Sequence, residues 1–267
     1  MKMKAILLTL IITTALIVTC ATNPLTGKHT MALVGNNELF ASSFKQYNQF
    51  ISENKVINGT ADAKMVERLG ENIRHAAEKW LAAEGKSEYL NDYQWEYHLV
   101  DSKEVNAWCM PGGKIVVYTG ILPITQTEDG LAAVMGHEVA HALLNHGQQR
   151  VSAGILQQIG AIGVAIASSG QSKQDQDLIM SAYGAGSTLL GTLPFSRKHE
   201  SEADHYGLLL MAIAGYNPEE SIPFWERMAA KGGSVPEFFS THPSDKTRIN
   251  QLRKSIPEAK EKAEQLK

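Results

Sequence analysis

The segment His-Glu-Val-Ala-His at residues 137–141 constrains this chain more than any other part of its sequence. On a helix, residues four apart lie about 40° apart around the axis, so both imidazoles project from one face. Two neutral imidazole nitrogens at this spacing can bind one metal ion, and zinc is its usual occupant. Glu138 lies about 100° around the helix, where its carboxylate can hold a metal-bound water as a general base.

The residues around this pair favour a buried metal site over a solvated surface helix. Unpaired imidazoles in an apolar setting are costly, and the neighbouring residues are apolar. These neighbours are Val134, Val139, Ala142 and Leu143. Gly136, directly before the first histidine, permits another backbone to approach closely.

A second cluster of ionisable residues, at positions 197–204, offers the third protein ligand that a catalytic zinc needs. On a helix, Glu200 and Asp204 share a face, so one can bind the metal while the other orients a ligand imidazole. Glu202 lies about 200° from Glu200 and cannot face the same ion. We therefore predict that Glu200 binds the metal, that Asp204 hydrogen-bonds to His137, and that Glu202 is solvated or in a salt bridge. A solvated charge run is the alternative for this segment taken alone.

The N-terminus has the pattern of a secretory signal. Two lysines precede an apolar run over residues 5–18 that is short for a membrane span. The run ends at Cys20 and resembles a bacterial lipobox, so we predict a signal peptide over residues 1–19 and a lipid on Cys20. By resemblance to bacterial lipoproteins, the absence of Asp after Cys20 favours the outer membrane, with the domain facing the periplasm. An uncleaved signal anchor in the inner membrane is the alternative.

Composition places few limits on function. Hydrophobic residues make up 43% of the chain and charged residues 20%, as in ordinary globular proteins. The net charge of −3 argues against a partner nucleic acid, which usually requires a basic surface. We predict one α+β domain over residues 61–267, behind a loosely structured, lipidated arm over residues 20–60. The second cysteine, Cys109, then has no partner for an intramolecular disulfide.

Hydrophobic spacing predicts the elements of this domain. Residues 62–83 and 129–146 have the spacing of helices with one apolar face. Residues 93–99 alternate as in a half-buried strand, and residues 106–110 and 114–119 predict a strand pair around a tight turn. A further apolar stretch, residues 151–169, is long enough to suggest a membrane span. Two glutamines interrupt it, so a buried or flexible helix is the prediction there.

Two motifs, GHEVAHALLNH at residues 136–146 and SRKHESEADHYG at residues 196–207, resemble the paired metal motifs of the HtpX-like zinc peptidases, which include the BepA-like and LoiP-like enzymes. Residues 241–243 with Arg248 resemble the family's C-terminal His-Pro element. The resemblance implies a gluzincin-type zincin fold, in which the HExxH helix lies beneath a small antiparallel or mixed sheet and the C-terminal half is helical. It also implies one Zn²⁺ per chain and endopeptidase activity on unfolded or misassembled envelope proteins.

In such an enzyme, zinc lowers the pKa of its bound water and Glu138 takes the proton, so that the hydroxide attacks the scissile carbonyl. His242 or Arg248 can then donate to the oxyanion. The family also suggests that His242 occupies the open zinc position in a latent state, and a helix-capping or surface position is the plainer alternative.

We expect the substrate to bind as an added strand along a sheet edge, although an ordinary paired strand is the alternative. The residues assigned to this edge are Asn106, Ala107 and Trp108. A rival function is a chaperone-like or assembly lipoprotein with a latent zinc site. Glu138 argues against that rival, because a purely structural zinc site does not need this carboxylate.

Overall fold

The fold is taken from a computed structural model, which describes residues 20–188, 193–231, 242 and 247–267. The predicted signal peptide, residues 1–19, and the neighbours of His242 in the His-Pro element lie outside these residues. Within them the chain is an α+β protein with two small sheets and a predominantly helical C-terminal half. This confirms the predicted fold class.

The segment before residue 60 is folded onto the domain, which corrects the expectation of a loose arm. Strands β1 (Cys20–Thr22) and β2 (His29–Met31) form an antiparallel hairpin, and helix α1 (Asn36–Glu53) follows. Strand β3 (Val56–Ile57) then joins the main sheet. The spacing of Phe40, Phe44, Tyr47 and Ile51 is that of a helix with one apolar face, and Phe40 and Tyr47 are buried. This apolar face is what attaches the segment to the core.

The main sheet is mixed, with strand order β3-β4-β6-β5. Strands β4 (Glu96–Val100) and β6 (Lys114–Tyr118) are parallel, whereas β5 (Ala107–Met110) is antiparallel to β6. Every residue of β6 is buried, as expected for a central strand. Among the described strands, β5 pairs with β6 alone, so it lies at an edge of the sheet.

The helices that carry the core lie against this sheet and against one another. They are α2 (Ala61–Ala83), α3 (Leu122–Thr125), α4 (Glu128–Leu143), α7 (Leu193–Ile213), α8 (Ser221–Lys231) and α9 (Arg248–Gln265). Helix α4 begins where the Thr127 side chain accepts a hydrogen bond from Gly130 N at 2.9 Å, and every residue from Gly130 to Leu143 is buried. The HExxH segment therefore lies inside the protein.

Two glycines allow α4 and α7 to cross with their backbones in contact. A Cβ atom on Gly136 would lie 2.7 Å from the carbonyl oxygen of Gly207, and one on Gly207 would lie 2.7 Å from backbone atoms of His137. Any side chain at either position would push the helices apart. The close approach expected at Gly136 is thus confirmed, and it brings the carboxylates of α7 to the histidines of α4.

Helices α5 (His146–Ser168) and α6 (Lys173–Ser187) form a hairpin that leaves the core. Tyr183 Oη donates to Gln157 O at 3.0 Å between them. Isoleucines 159, 162 and 166 are 58–69% exposed, so the expected burial of this helix is wrong. The apolar pattern fits a membrane span by length and composition, with 11% of the relevant window buried. Sequence alone could not show that only the first turns of α5 touch the core.

Candidate metal centre

Four buried side chains converge at the crossing of α4 and α7. They are His137, His141, Glu200 and His242, and one nitrogen or oxygen from each lies within 4.8 Å of the others. The Nε2 atoms of His137 and His141 are 3.1 Å apart. Glu200 places Oε2 3.4 Å from His137 Nε2 and Oε1 3.3 Å from His141 Nε2. The structure therefore brings together the three predicted metal ligands and adds a fourth side chain.

The second nitrogen of each HExxH imidazole points away from this cluster. His137 Nδ1 lies 3.0 Å from Asp204 Oδ1, and His141 Nδ1 lies 2.8 Å from His146 Nδ1. With their ring protons on Nδ1, both imidazoles would turn Nε2 lone pairs toward each other and toward the Glu200 carboxylate. Lone pairs at 3.1–3.4 Å repel unless a cation lies between them. These donors fit a divalent metal of the zinc type.

The charges in the centre also suit a cation. Burial raises the pKa of Glu200, but hydrogen bonds with His137, His141 and His242 outweigh burial and hold that pKa far below its usual range. Burial lowers the pKa of His137, but hydrogen bonds with Asp204 and Glu200 raise it to about 9, so these carboxylates favour a positive charge at this ring, which a bound metal ion would supply in place of a proton on Nε2. Burial keeps the pKa of His141 well below its usual value despite its hydrogen bond to Glu200. Glu200 is therefore an anion beside the neutral imidazole of His141.

Asp204 lies where the sequence predicted, hydrogen-bonded to His137 and buried. Its Oδ1 also accepts a hydrogen bond from Arg248 Nη2 at 2.5 Å. The Arg248 guanidinium stacks on Trp225, 3.3 Å from the ring centroid. Arg248 Nη2 is 3.3 Å from His137 Nδ1, on the side of the ring that faces away from the cluster. Arg248 thus holds Asp204, and because the same Nη2 atom is 3.7 Å from Glu200 Oε2, its role as an oxyanion donor stays a prediction.

Glu138 is buried beside the cluster without belonging to it. Its Oε1 atom makes no hydrogen bond to any residue that the structure describes, and it lies 3.3 Å from His242 Nε2. The other nitrogen of that ring, His242 Nδ1, is 3.2 Å from both Glu200 Oε2 and His137 Nε2. The His242 ring thus lies between the carboxylate of Glu138 and the metal ligands. A water or a substrate carbonyl would need this same space.

Glu202 forms the predicted salt bridge, with Lys28 Nζ 2.8 Å from its Oε1 atom. It also faces His146, whose Nε2 atom is 3.4 Å from Glu202 Oε2. The contact with His146 and the hydrogen bond with Lys28 outweigh burial and lower the pKa of Glu202 to about 2. Sequence reasoning missed His146 and Trp225. Only the short distance between His141 and His146 along the chain pointed to a contact.

The predicted substrate strand lies at the sheet edge, but its backbone groups do not all face outwards. Tyr118 N donates to Asn106 O at 3.1 Å, so Asn106 and, two residues on, Trp108 turn their backbone groups toward β6. Ala107 and Cys109 turn theirs to the free edge, where Asn106 Oδ1 accepts from Ala107 N at 2.9 Å. The assignment of Trp108 as an edge-facing residue is therefore corrected to Cys109.

Comparison with known proteins agrees with this geometry. A family model described as Peptidase family M48 matches residues 68–256. The mitochondrial metalloendopeptidase OMA1 of Schizosaccharomyces pombe is 39% identical over 178 residues, covering 66% of this chain and 50% of that protein. The metalloprotease LoiP of Escherichia coli is 26% identical over 257 residues, covering 95% of this chain and 96% of LoiP. The beta-barrel assembly-enhancing protease of Escherichia coli is 28% identical over 191 residues, covering 65% of this chain and 38% of that protein.

The chain spans about half the length of the yeast OMA1 relatives that it matches. The matched residues contain both metal motifs and Arg248. They therefore include every described side chain of the centre, and the resemblance found from the two motifs is confirmed. The chain belongs to peptidase family M48.

Proposed function

We propose that this protein is a zinc-dependent metalloendopeptidase that hydrolyses peptide bonds of unfolded or misassembled cell-envelope proteins. The observation that carries this proposal is the buried set of His137, His141 and Glu200, with Glu138 beside it. The relatives named as metalloendopeptidase and metalloprotease support the reaction class. The name of the beta-barrel assembly-enhancing protease supports an envelope substrate.

The residues of the centre suit peptide hydrolysis. When bound, a zinc ion would supply a water of lowered pKa and a Lewis acid for the scissile carbonyl. The Glu138 carboxylate accepts the proton of the attacking water and returns it to the leaving amine. His137, His141 and Glu200 would hold the metal, while Asp204 orients His137 and is itself held by Arg248. Burial of the whole set keeps competing water out of these contacts.

In this structure the His242 ring blocks the approach of a substrate to Glu138 and the metal ligands. Its two nitrogens contact Glu200 on one side and Glu138 on the other, so its ring must leave before a substrate carbonyl can approach. These contacts favour the latent state over the oxyanion-donor role. They also give some support to the second candidate function, an assembly or chaperone-like lipoprotein whose zinc site stays latent.

Hydrolysis of unfolded casein by the purified full-length chain tests the proposal. We expect cleavage that a chelator abolishes and added zinc restores, together with several-fold faster cleavage by His242→Ala. If the wild type and His242→Ala each bind one zinc per chain and neither cleaves casein, the result would favour the latent assembly factor. Slower cleavage by His242→Ala would assign His242 to the oxyanion instead.

Substrate binding along β5 gives a sharper prediction at Cys109. Proline has no N–H group, so Cys109→Pro removes a donor that faces the free edge and leaves the ladder to β6 intact. We expect a several-fold higher KM for long unfolded substrates with unchanged zinc content. Trp108→Pro is the matched control, because it breaks a hydrogen bond to β6 and should lower the midpoint of thermal unfolding instead. An unchanged KM in Cys109→Pro would refute this binding edge.

For the location, we propose an outer-membrane lipoprotein that faces the periplasm, anchored through a lipid on Cys20. Cys20 is exposed at the start of β1, where a modifying enzyme can reach it. Mass spectrometry of the protein from membranes should then show an N-terminal lipidated Cys20, and Cys20→Ser should release the protein from that fraction. An intact Met1 with an unmodified Cys20 would support the signal-anchored alternative.

A further inference from the structure

We propose that His146 orients the metal ligand His141, and that Glu202 and Lys28 hold His146 in that position. This inference rests on the metal site of the proposed function. Asp204 orients the other ligand, His137, through a direct hydrogen bond. His141 instead contacts the imidazole of His146, which in turn contacts Glu202.

The contact between the two imidazoles defines their tautomers. His141 and His146 are both buried, and their Nδ1 atoms are 2.8 Å apart. A His141 that binds metal through Nε2 carries its proton on Nδ1, so it must donate this hydrogen bond. His146 Nδ1 therefore accepts it, and the proton of His146 lies on Nε2. That nitrogen faces Glu202 Oε2 at 3.4 Å.

Neighbouring groups keep the His146 ring in this orientation. His146 stacks on His199 with ring centroids 4.0 Å apart and planes 12° apart. It is also the first residue of α5, directly after Asn145, whose φ of 57° turns the chain back toward α4. None of the His146 surface is exposed, and its Nε2 atom lies 3.4 Å from Glu202 Oε2 without meeting hydrogen-bond geometry. A buried imidazole with Nδ1 hydrogen-bonded to a ligand and Nε2 directed at a carboxylate is therefore suited to positioning that ligand.

The outer end of this chain of contacts is a carboxylate paired with a cation. Glu202 accepts from Lys28 Nζ at 2.8 Å, as Asp204 accepts from Arg248. Both carboxylates come from α7, two residues apart, and each supports a different ligand imidazole. Lys28 lies between β1 and β2, directly before β2, so the N-terminal hairpin contacts the outer layer of the metal centre. Glu202, which the sequence predicted to be solvated or in a salt bridge, thus also contacts the imidazole that supports the ligand His141.

Zinc affinity of the full-length chain, measured by competition with a chromophoric chelator, tests this inference. His146→Phe keeps the stacked ring but removes the acceptor, and we expect its affinity to fall roughly 10–100-fold. His146→Gln can still accept from His141 and donate to Glu202, so its affinity should stay within a few-fold of wild type. Glu202→Ala should weaken binding in the wild-type chain and have little further effect in His146→Phe.

A control and a spectroscopic measurement separate positioning from folding. His205→Phe changes a histidine of α7 that pairs with Glu258 outside the centre, and this variant should bind zinc like the wild type. The visible absorption bands of the cobalt-substituted chain should shift in His146→Phe and not in His205→Phe. Wild-type zinc affinity in His146→Phe would overturn the inference, and so would an equal loss in the Phe and Gln variants. A wild-type chain that binds no zinc would overturn the proposed function as well.

Discussion

Glu138→Gln should lower the turnover of an unfolded protein substrate by at least ~10²-fold while the zinc content stays at its wild-type value. Glu138 is buried beside the metal ligands but is not one of them, so the metal does not depend on it. Glutamine has the same shape as glutamate and can still contact His242, but it cannot accept the proton of the attacking water. kcat/KM and bound zinc should be measured on the same sample.

Glu128→Gln provides the matched control. Glu128 lies in the first turn of the same helix, where its carboxylate pairs with Arg68 at 2.8 Å and is partly exposed. Its replacement removes a carboxylate from α4 without touching the centre, and we expect turnover within a few-fold of wild type. Near-wild-type cleavage by Glu138→Gln would refute the proposed mechanism, and loss of zinc would show that Glu138 is a ligand.

Glu200→Ala should lose most of its bound zinc. The substitution removes one of the three predicted protein ligands and the only carboxylate that contacts the Nε2 atoms of both HExxH histidines among the described residues. Since a metal that binds only the folded state stabilises it, zinc should raise the thermal midpoint of the wild type and leave that of Glu200→Ala unchanged. Zinc content after dialysis and the two thermal midpoints measure this effect.

Asp204 provides a graded comparison for the same experiment. Asp204→Ala should weaken zinc binding by roughly 10–100-fold, because His137 loses its orienting carboxylate. The same change leaves the buried guanidinium of Arg248 without its anion, so it should also cost about 3–5 kcal/mol of stability. Asp204→Asn keeps an acceptor, so it should have smaller effects on both zinc affinity and stability. The control is Glu226→Ala, at an exposed ion pair with Arg253. Retention of zinc by Glu200→Ala would refute the ligand set.

Local periodicity explains which parts of the centre were predicted from sequence. The spacing of His137 and His141 places both imidazoles on one face whatever the rest of the chain does. The same 3.6-residue repeat puts Glu200 and Asp204 on one face of α7 and turns Glu202 away from it. Alternation of apolar residues likewise predicted β4, and the Pro-Gly-Gly turn predicted the β5–β6 pair. Each of these predictions depends on backbone geometry within about one or two turns.

Contacts between distant segments decided the rest. The helical spacing of Phe40, Phe44 and Tyr47 shows an apolar face, but only packing shows that this face joins the core. The same limit applies to α5, whose apolar residues are exposed because the helix leaves the core after its first turns. An apolar pattern indicates that burying those side chains is favourable, but it does not indicate which surface they pack against.

By itself, the sequence determined which side chains the candidate site contains: two imidazoles and a carboxylate on one helix, and a carboxylate pair on another. Only the tertiary structure decided how these groups are supported and blocked. The crossing at Gly136 and Gly207 sets which carboxylate meets which imidazole. Packing of other segments places Arg248 behind His137, His146 behind His141, and the His242 ring between Glu138 and Glu200. These contacts join residues that lie 5 to 111 positions apart in the sequence. A helical or strand repeat relates only residues that are close in sequence, so it cannot predict most of these contacts.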